Sequence, residues 1–147
     1  MPLLSSGDQE TLRTALGEMT RPVRLLFFSQ TLDCDTCPAA RQILDELPAL
    51  SDKVAVEEVN LILDAEKAKA YGVDRAPAVA ILYDGDGEGP KDSRIRFVGA
   101  PSGYEFMSLV HAVLLAGGRP GQLSDESRRR LSLLTQPVTM RVFTTPT

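Results

Sequence analysis

Val23-Arg24-Leu25-Leu26-Phe27-Phe28, then Ser29-Gln30-Thr31-Leu32-Asp33, then Cys34-Asp35-Thr36-Cys37-Pro38 is the stretch on which the fold turns. The first six residues are almost wholly apolar, the pattern of a short strand covered on both faces. The next five are a loop. Ala40, Ile43, Leu44 and Leu47 then recur at helical spacing, which predicts a helix over residues 37–47. Pro38 falls in its first turn, where a missing N–H has no helical partner to lose. A buried strand, a short loop, a Cys-x-x-Cys pair and an amphipathic helix therefore follow one another directly.

This order has chemical meaning. Unsatisfied N–H groups and a partial positive charge sit at a helix N-terminus. They favour a thiolate, and the thiolate is the nucleophile of disulfide exchange. Cys34 precedes the helix and is expected to be the more exposed thiol, while Cys37 lies in the first turn and should be more buried. Attack by Cys34 on a disulfide would give a mixed disulfide that Cys37 is placed to resolve. Asp33, Asp35 and Thr36 are read as tuning residues. Two carboxylates beside Cys34 oppose its thiolate and so favour the disulfide. The expected potential lies toward the reducing end of dithiol enzymes, nearer roughly −270 than −120 mV. Two other readings of the thiols are idle side chains and a metal site. Structural zinc takes four ligands, and the chain offers two cysteines and one distant histidine, His111, so a metal site would have to bridge two chains.

Working outward, Leu12, Ala15, Leu16 and Met19 predict a helix over residues 8–19, with Ser6-Gly7-Asp8 supplying capping groups. Val54, Val56 and Val59 suggest a second strand, and residues 64–71 a short helix ended by Gly72. Residues 78–83 read as a third strand, 84–90 as a flexible turn, and Ile95-Arg96-Phe97 as a half-exposed fourth strand paired antiparallel to the third. Phe106, Leu109, Val110, Val113 and Leu114 mark a helix over 103–116, stopped by Gly117-Gly118. Ser124-Asp125-Glu126 opens one more, with Leu131 and Leu134 as its apolar face. Val138, Met140 and Val142 alternate as a last strand over 138–143. A mixed four-stranded sheet with helices on both faces, followed by a C-terminal helix and strand, accommodates these elements.

The bulk properties narrow the function. A chain of 147 residues suffices for one domain with a real core. With 43% hydrophobic and 24% charged residues, it has the balance of a soluble globular protein. The net charge of −4 offers no basic footprint for nucleic acid. No apolar run is long enough to cross a bilayer. Met1 to Gly7 lacks the basic start and apolar core of a signal peptide. The expected location is the cytoplasm, where a disulfide is more often catalytic than structural. No metal or organic cofactor is expected.

Arg75-Ala76-Pro77-Ala78 precedes the third strand. Composition alone makes Pro77 a plain strand starter. Taken together, Phe27-Phe28 before the dithiol, Asp74-Arg75-Ala76-Pro77-Ala78 and Gly99-Ala100-Pro101-Ser102-Gly103-Tyr104-Glu105-Phe106 resemble the thioredoxin and glutaredoxin superfamily. More narrowly, they resemble the N-terminal unit of the glutaredoxin-like protein disulfide oxidoreductases, which carry two tandem units. The resemblance implies an α/β thioredoxin/glutaredoxin-like fold, Cys34 as attacking and Cys37 as resolving thiol. It also implies a cis Ala76–Pro77 bond whose backbone would bind an extended substrate segment as Pro77 faces the dithiol. Protein disulfides would be the substrates and a thioredoxin reductase the source of electrons. The chain departs from thioredoxins in having no tryptophan before Cys34 and in placing Phe28 where they carry a buried acid.

Pro22-Val23 leading to Phe28-Ser29 is echoed by Pro137-Val138 leading to Phe143-Thr144. The end, Val142 to Thr147, resembles the strand and loop that enter a second dithiol, which this sequence does not contain. The domain reading is accordingly a thioredoxin/glutaredoxin-like domain over residues 1–134 and a trailing strand over 135–147, as if opening a second repeat. Apolar surface on that strand would make a homodimer the expected oligomer. The competing functional class is a non-catalytic interaction module on the same fold.

Overall fold

Strand β1 (Val23–Ser29) is buried at every position except Arg24, and that burial organises the molecule. The computed structural model describes residues 3–144. Around β1 the elements run α1 (Ser6–Gly17), α2 (Cys37–Asp45), β2 (Val54–Asn60), α3 (Ala65–Ala70), β3 (Ala78–Gly85), β4 (Gly89–Val98), α4 (Tyr104–Ala116) and α5 (Asp125–Ser132). The sheet has the order β2-β1-β3-β4. β1 is parallel to β2 and antiparallel to β3, and β3 is antiparallel to β4. A helical crossover between β1 and β2 and a hairpin between β3 and β4 produce that mixture.

Side chains of a strand alternate between faces, and β1 uses both. Val23, Leu25 and Phe27 enter one core with Leu16 of α1, Leu44 of α2 and Val113 of α4. Leu26 and Phe28 enter a second with Val59 of β2 and Ala68 of α3. Helices therefore cover both faces, which is why the run 23–28 carries almost no polar residue.

In the β1–β3 register Phe28 lies opposite Ala78. The end of β1, which feeds the dithiol loop, and the first residue after Pro77 thus share one end of the sheet. At the other end, α4 is clamped to the start of β1. The N–H groups of Thr20 and Arg21 donate to the Gly117 carbonyl at 2.8 and 3.3 Å, and Arg21 Nε donates to the Ala116 carbonyl at 2.7 Å. The Arg21 guanidinium stacks 4.0 Å above the Tyr83 ring. Gly118 has φ 105°, and a Cβ there would lie 2.1 Å from Thr20 Oγ1. Only glycine fits that turn.

Several expectations need correction. Helix α1 starts at Ser6, and its cap is Ser5, whose Oγ accepts from the Asp8 N–H at 3.2 Å. The hairpin turn is shorter than 84–90, because Asp84 and Gly85 pair with Pro90 and Gly89 and extend the ladder. Ser124 does cap α5, accepting from the Ser127 N–H at 3.1 Å. Its expected apolar face finds nothing, and no residue of α5 is buried. Residues 138–143 form no strand; Val138, Met140 and Val142 are exposed. Alternating apolar residues become a strand only when a ladder partner is present, and β2 and β4 end the sheet without recruiting this segment. The last three positions of the expected trailing strand, Thr145 to Thr147, lie outside the described residues. No helix among the described residues is long and apolar enough to cross a membrane.

Candidate active site

Cys34 and Cys37 are joined by a disulfide, with their Cα atoms 5.4 Å apart. Helix α2 begins at Cys37, with Pro38 in its first turn. The cap residue, Thr36, makes no side-chain hydrogen bond to the first-turn amides, and the first turn holds no acid. Those amides are left to face whatever charge the sulfurs carry. Cys37 is buried, 7% exposed, against the core beneath α2, while Cys34 is half-buried against the same core. Of the two sulfurs, the one outside the helix is the more open, the arrangement expected from the sequence.

Asp33 and Asp35 flank Cys34 and are both exposed. Asp33 has φ 56°, a left-handed conformation that Asp and Asn adopt more readily than bulkier residues. The loop is also held by Gln30, whose Nε2 donates to the Asp33 carbonyl at 3.4 Å.

The Ala76–Pro77 peptide is cis. Ala76 packs on the same core as both cysteines, and the Pro77 carbonyl accepts from the Gly99 N–H at 2.8 Å. Beside it, Arg75 Nε donates to Asp74 at 2.8 Å, and this contact holds the Asp74 carboxyl below the usual carboxylate range. Cys34, Cys37, Ala76 and Pro77 therefore lie at one end of the sheet. His111 is exposed on α4, and no group of three or more His, Cys, Asp or Glu among the described residues could hold a metal ion.

The sequence reading missed a polar link under this end of the sheet. The buried Ser29 hydroxyl donates to Glu58 Oε1 at 2.5 Å, and Arg41 Nη1 donates to Glu58 Oε2 at 2.7 Å. Arg41 Nε also meets Asp45 at 2.9 Å. These carboxylates, Asp45 first, raise the Arg41 pKa still further. β1, β2 and α2 are thus tied together one turn below Cys37. The available signal was Glu58 itself, since Val54 and Val56 point to the α2 side and Glu58 follows them in the same register. Glu58 is itself exposed, but a carboxylate in register with Val54 and Val56 has Ser29 and Arg41 within reach.

No family model matches the chain. It is 35% identical over 136 residues to a subunit of the alkyl hydroperoxide reductase of Escherichia coli, a match that takes in 91% of this chain and 21% of that protein. It is 35% identical over 79 residues to a probable thioredoxin of Methanothermobacter thermautotrophicus, covering 53% of this chain and 81% of that one. The solved structure of a protein disulfide oxidoreductase from Aeropyrum pernix superposes with a TM-score of 0.71 at 25% identity, over 88% of this chain and 55% of the other. The chain thus spans about a fifth of the bacterial reductase protein and about four fifths of the archaeal thioredoxin. A four-stranded mixed sheet, a dithiol opening the second helix and a cis-proline at the same sheet end agree with these likenesses, and the chain belongs to the thioredoxin family.

Proposed function

We propose that this chain is a thiol–disulfide oxidoreductase that reduces, or in reverse forms, disulfides in protein substrates. The observation that carries the proposal is the Cys34–Cys37 bond at the open N-terminus of α2. In the reducing direction the Cys34 thiolate attacks one sulfur of the substrate disulfide. That bond breaks, and its other sulfur leaves as a thiolate and takes up a proton. Cys37 then loses its proton and attacks Cys34. The second substrate sulfur leaves, the Cys34–Cys37 bond closes, and two electrons have passed to the substrate. Ala76 offers its backbone to an extended substrate segment in short β-augmentation, with cis-Pro77 setting the direction of that edge. Asp33, Asp35 and Thr36 set the stability of the Cys34 thiolate.

A thioredoxin reductase supplies the electrons in this reading, and the cytoplasm is the compartment in which the cycle turns. Residues 1–134 form the working unit. Residues 135–147 form a trailing segment that opens a second repeat or joins two copies in a homodimer. Exposed Val138, Met140, Val142 and Phe143 support a role for that segment in association. Reduction of insulin in the presence of dithiothreitol, compared with a Cys34→Ser control, tests the redox reading. An equal rate in the two proteins would leave the fold as an interaction module.

A further inference from the structure

The loop before Cys34 does not stand alone. The Leu61 N–H donates to the Ser29 carbonyl at 2.8 Å, which joins the end of β2 to the end of β1. Asn60 Oδ1 then accepts from the N–H groups of Ile62 and Leu63 at 3.0 and 2.9 Å. This turn satisfies its own backbone and presents both side chains outward. Ile62 is 68% exposed, Leu63 83%, and Leu32 from the dithiol loop 78%. The three side chains line a shallow cleft of about 410 Å³ whose wall includes Asp33. Large apolar groups so exposed contribute little to the fold. Gathered one residue from a nucleophile's neighbour, they offer area to something that arrives there.

The one charged residue lining the cleft is Asp33, and the chain segments that form it are acidic. Residues 30–37 and 60–66 contain Asp33, Asp35, Asp64 and Glu66 and no lysine or arginine. All four acids are exposed, and Asp33 and Asp35 form no ion pair among the described residues. Lys67, the next residue along α3, is engaged by Glu57 on β2. An apolar floor with an acidic rim complements a segment of the opposite pattern.

Building on the exchange reading above, we propose that the Leu32–Ile62–Leu63 cleft selects the substrate. Its occupant is a protein segment whose disulfide-bonded cysteine is flanked by bulky apolar side chains and, beyond them, by lysine or arginine. The apolar side chain seats in the cleft, the cations meet Asp33 and Asp35, and the substrate sulfur is delivered to Cys34. The chemical step is the exchange already described, with the reduced Cys34 and Cys37 thiols supplying the two electrons as their disulfide closes.

The test uses the full chain, reduced and freed of reductant. Three pentapeptides each carry a central cysteine in mixed disulfide with thionitrobenzoate: one with leucines inside lysines, one with leucines inside glutamates, one with glycines inside lysines. Stopped-flow release of thionitrobenzoate gives the rates. Asp33 and Asp35 also alter Cys34 itself, so ratios between peptides are read, in which its intrinsic reactivity cancels. At low salt the lysine peptide should react about tenfold faster than the glutamate peptide. The ratio should fall toward one in about 0.5 M salt and in the Asp33→Asn/Asp35→Asn double variant. Leu63→Ser should lower the leucine-to-glycine ratio about threefold, on the order of 0.6 kcal/mol of apolar contact. A lysine-to-glutamate ratio within about twofold, or a leucine-to-glycine ratio that Leu63→Ser leaves alone, would overturn the cleft assignment while exchange itself stands. A dimer that the Leu63→Ser variant dissociates would overturn it too, by making a second copy the occupant. No release from any peptide would instead remove the exchange reading on which it rests.

Discussion

The two ends of the chain carry similar apolar periodicity and meet different fates. Residues 23–28 place Leu25, Leu26, Phe27 and Phe28 in complete burial, whereas Leu131, Leu134, Val138 and Met140 in the trailing region are all exposed. Neither local propensity nor capping separates them, since α5 has a proper Ser124 cap and an acidic first turn. The difference is the presence of a partner. β1 has a strand on each side and helices on both faces, while none of the described residues from Asp125 onward is buried. Hydrophobic patterning states what a segment can bury, and topology decides whether it does.

That contrast can be broken by mutation. The largest effect is expected at the dithiol: Cys34→Ser should abolish insulin reduction, while Val138→Ser should leave it intact. A loss of activity in Val138→Ser would show that the tail takes part in the working unit. Phe27→Ala should cost about 3–5 kcal/mol in urea unfolding, against less than about 0.5 kcal/mol for Leu131→Ala or Val138→Ala. Values above about 1.5 kcal/mol in the tail would mean that it packs after all. Ser29→Ala removes one donor from Glu58 without disturbing Arg41, and about 1 kcal/mol of stability should go with it.

Asp35→Asn should raise the dithiol potential by about 15–30 mV, read by titration against glutathione. An unchanged potential would mean that solvent screens this carboxylate completely. The smallest effects concern two carboxylates, one on β4 of the sheet and one on α5. Arg96 holds Asp92 below its ordinary value of 3.8, chiefly through their hydrogen bond. A lowered folded value means stability that is complete above 3.8 and disappears as the pH falls through the lower folded value. Asp92→Asn should therefore cost at most about 1 kcal/mol at pH 7 and flatten the acid limb of the stability curve. Arg129 and Arg130 likewise lower Glu126 on α5, but in full solvent exposure, and Glu126→Gln should leave both plateau and acid limb where they were.

Much of this was legible beforehand because it is local. The strand, the loop, the dithiol and α2 follow one another in the chain, and each leaves its mark within a few residues. Pro77 was different. Its position was readable, but its cis geometry came from resemblance, since an X-Pro pair in isolation favours trans. The left-handed Asp33 left no signal beyond being an Asp in a loop. The Ser29–Glu58–Arg41 link joins residues up to 29 positions apart and had no local signature except an acid in an apolar register. Ile62 and Leu63 read as ordinary loop residues because only the Asn60 turn shows that they project outward. The mistaken strand at 138–143 came from treating alternation as sufficient.

The glycine turn at Gly117 and Gly118 has one more consequence. Thr20 crowds Gly118, the Arg119 N–H donates to the Leu114 carbonyl at 2.9 Å, and Arg119 meets Glu18 at 3.0 Å. The polypeptide therefore leaves the core with a set heading. It does so beside the first residue of β1, roughly 20 Å from the sulfur-bearing end. Any cargo tethered to that exit starts its path at the rear of the molecule, leaving the front clear for docking.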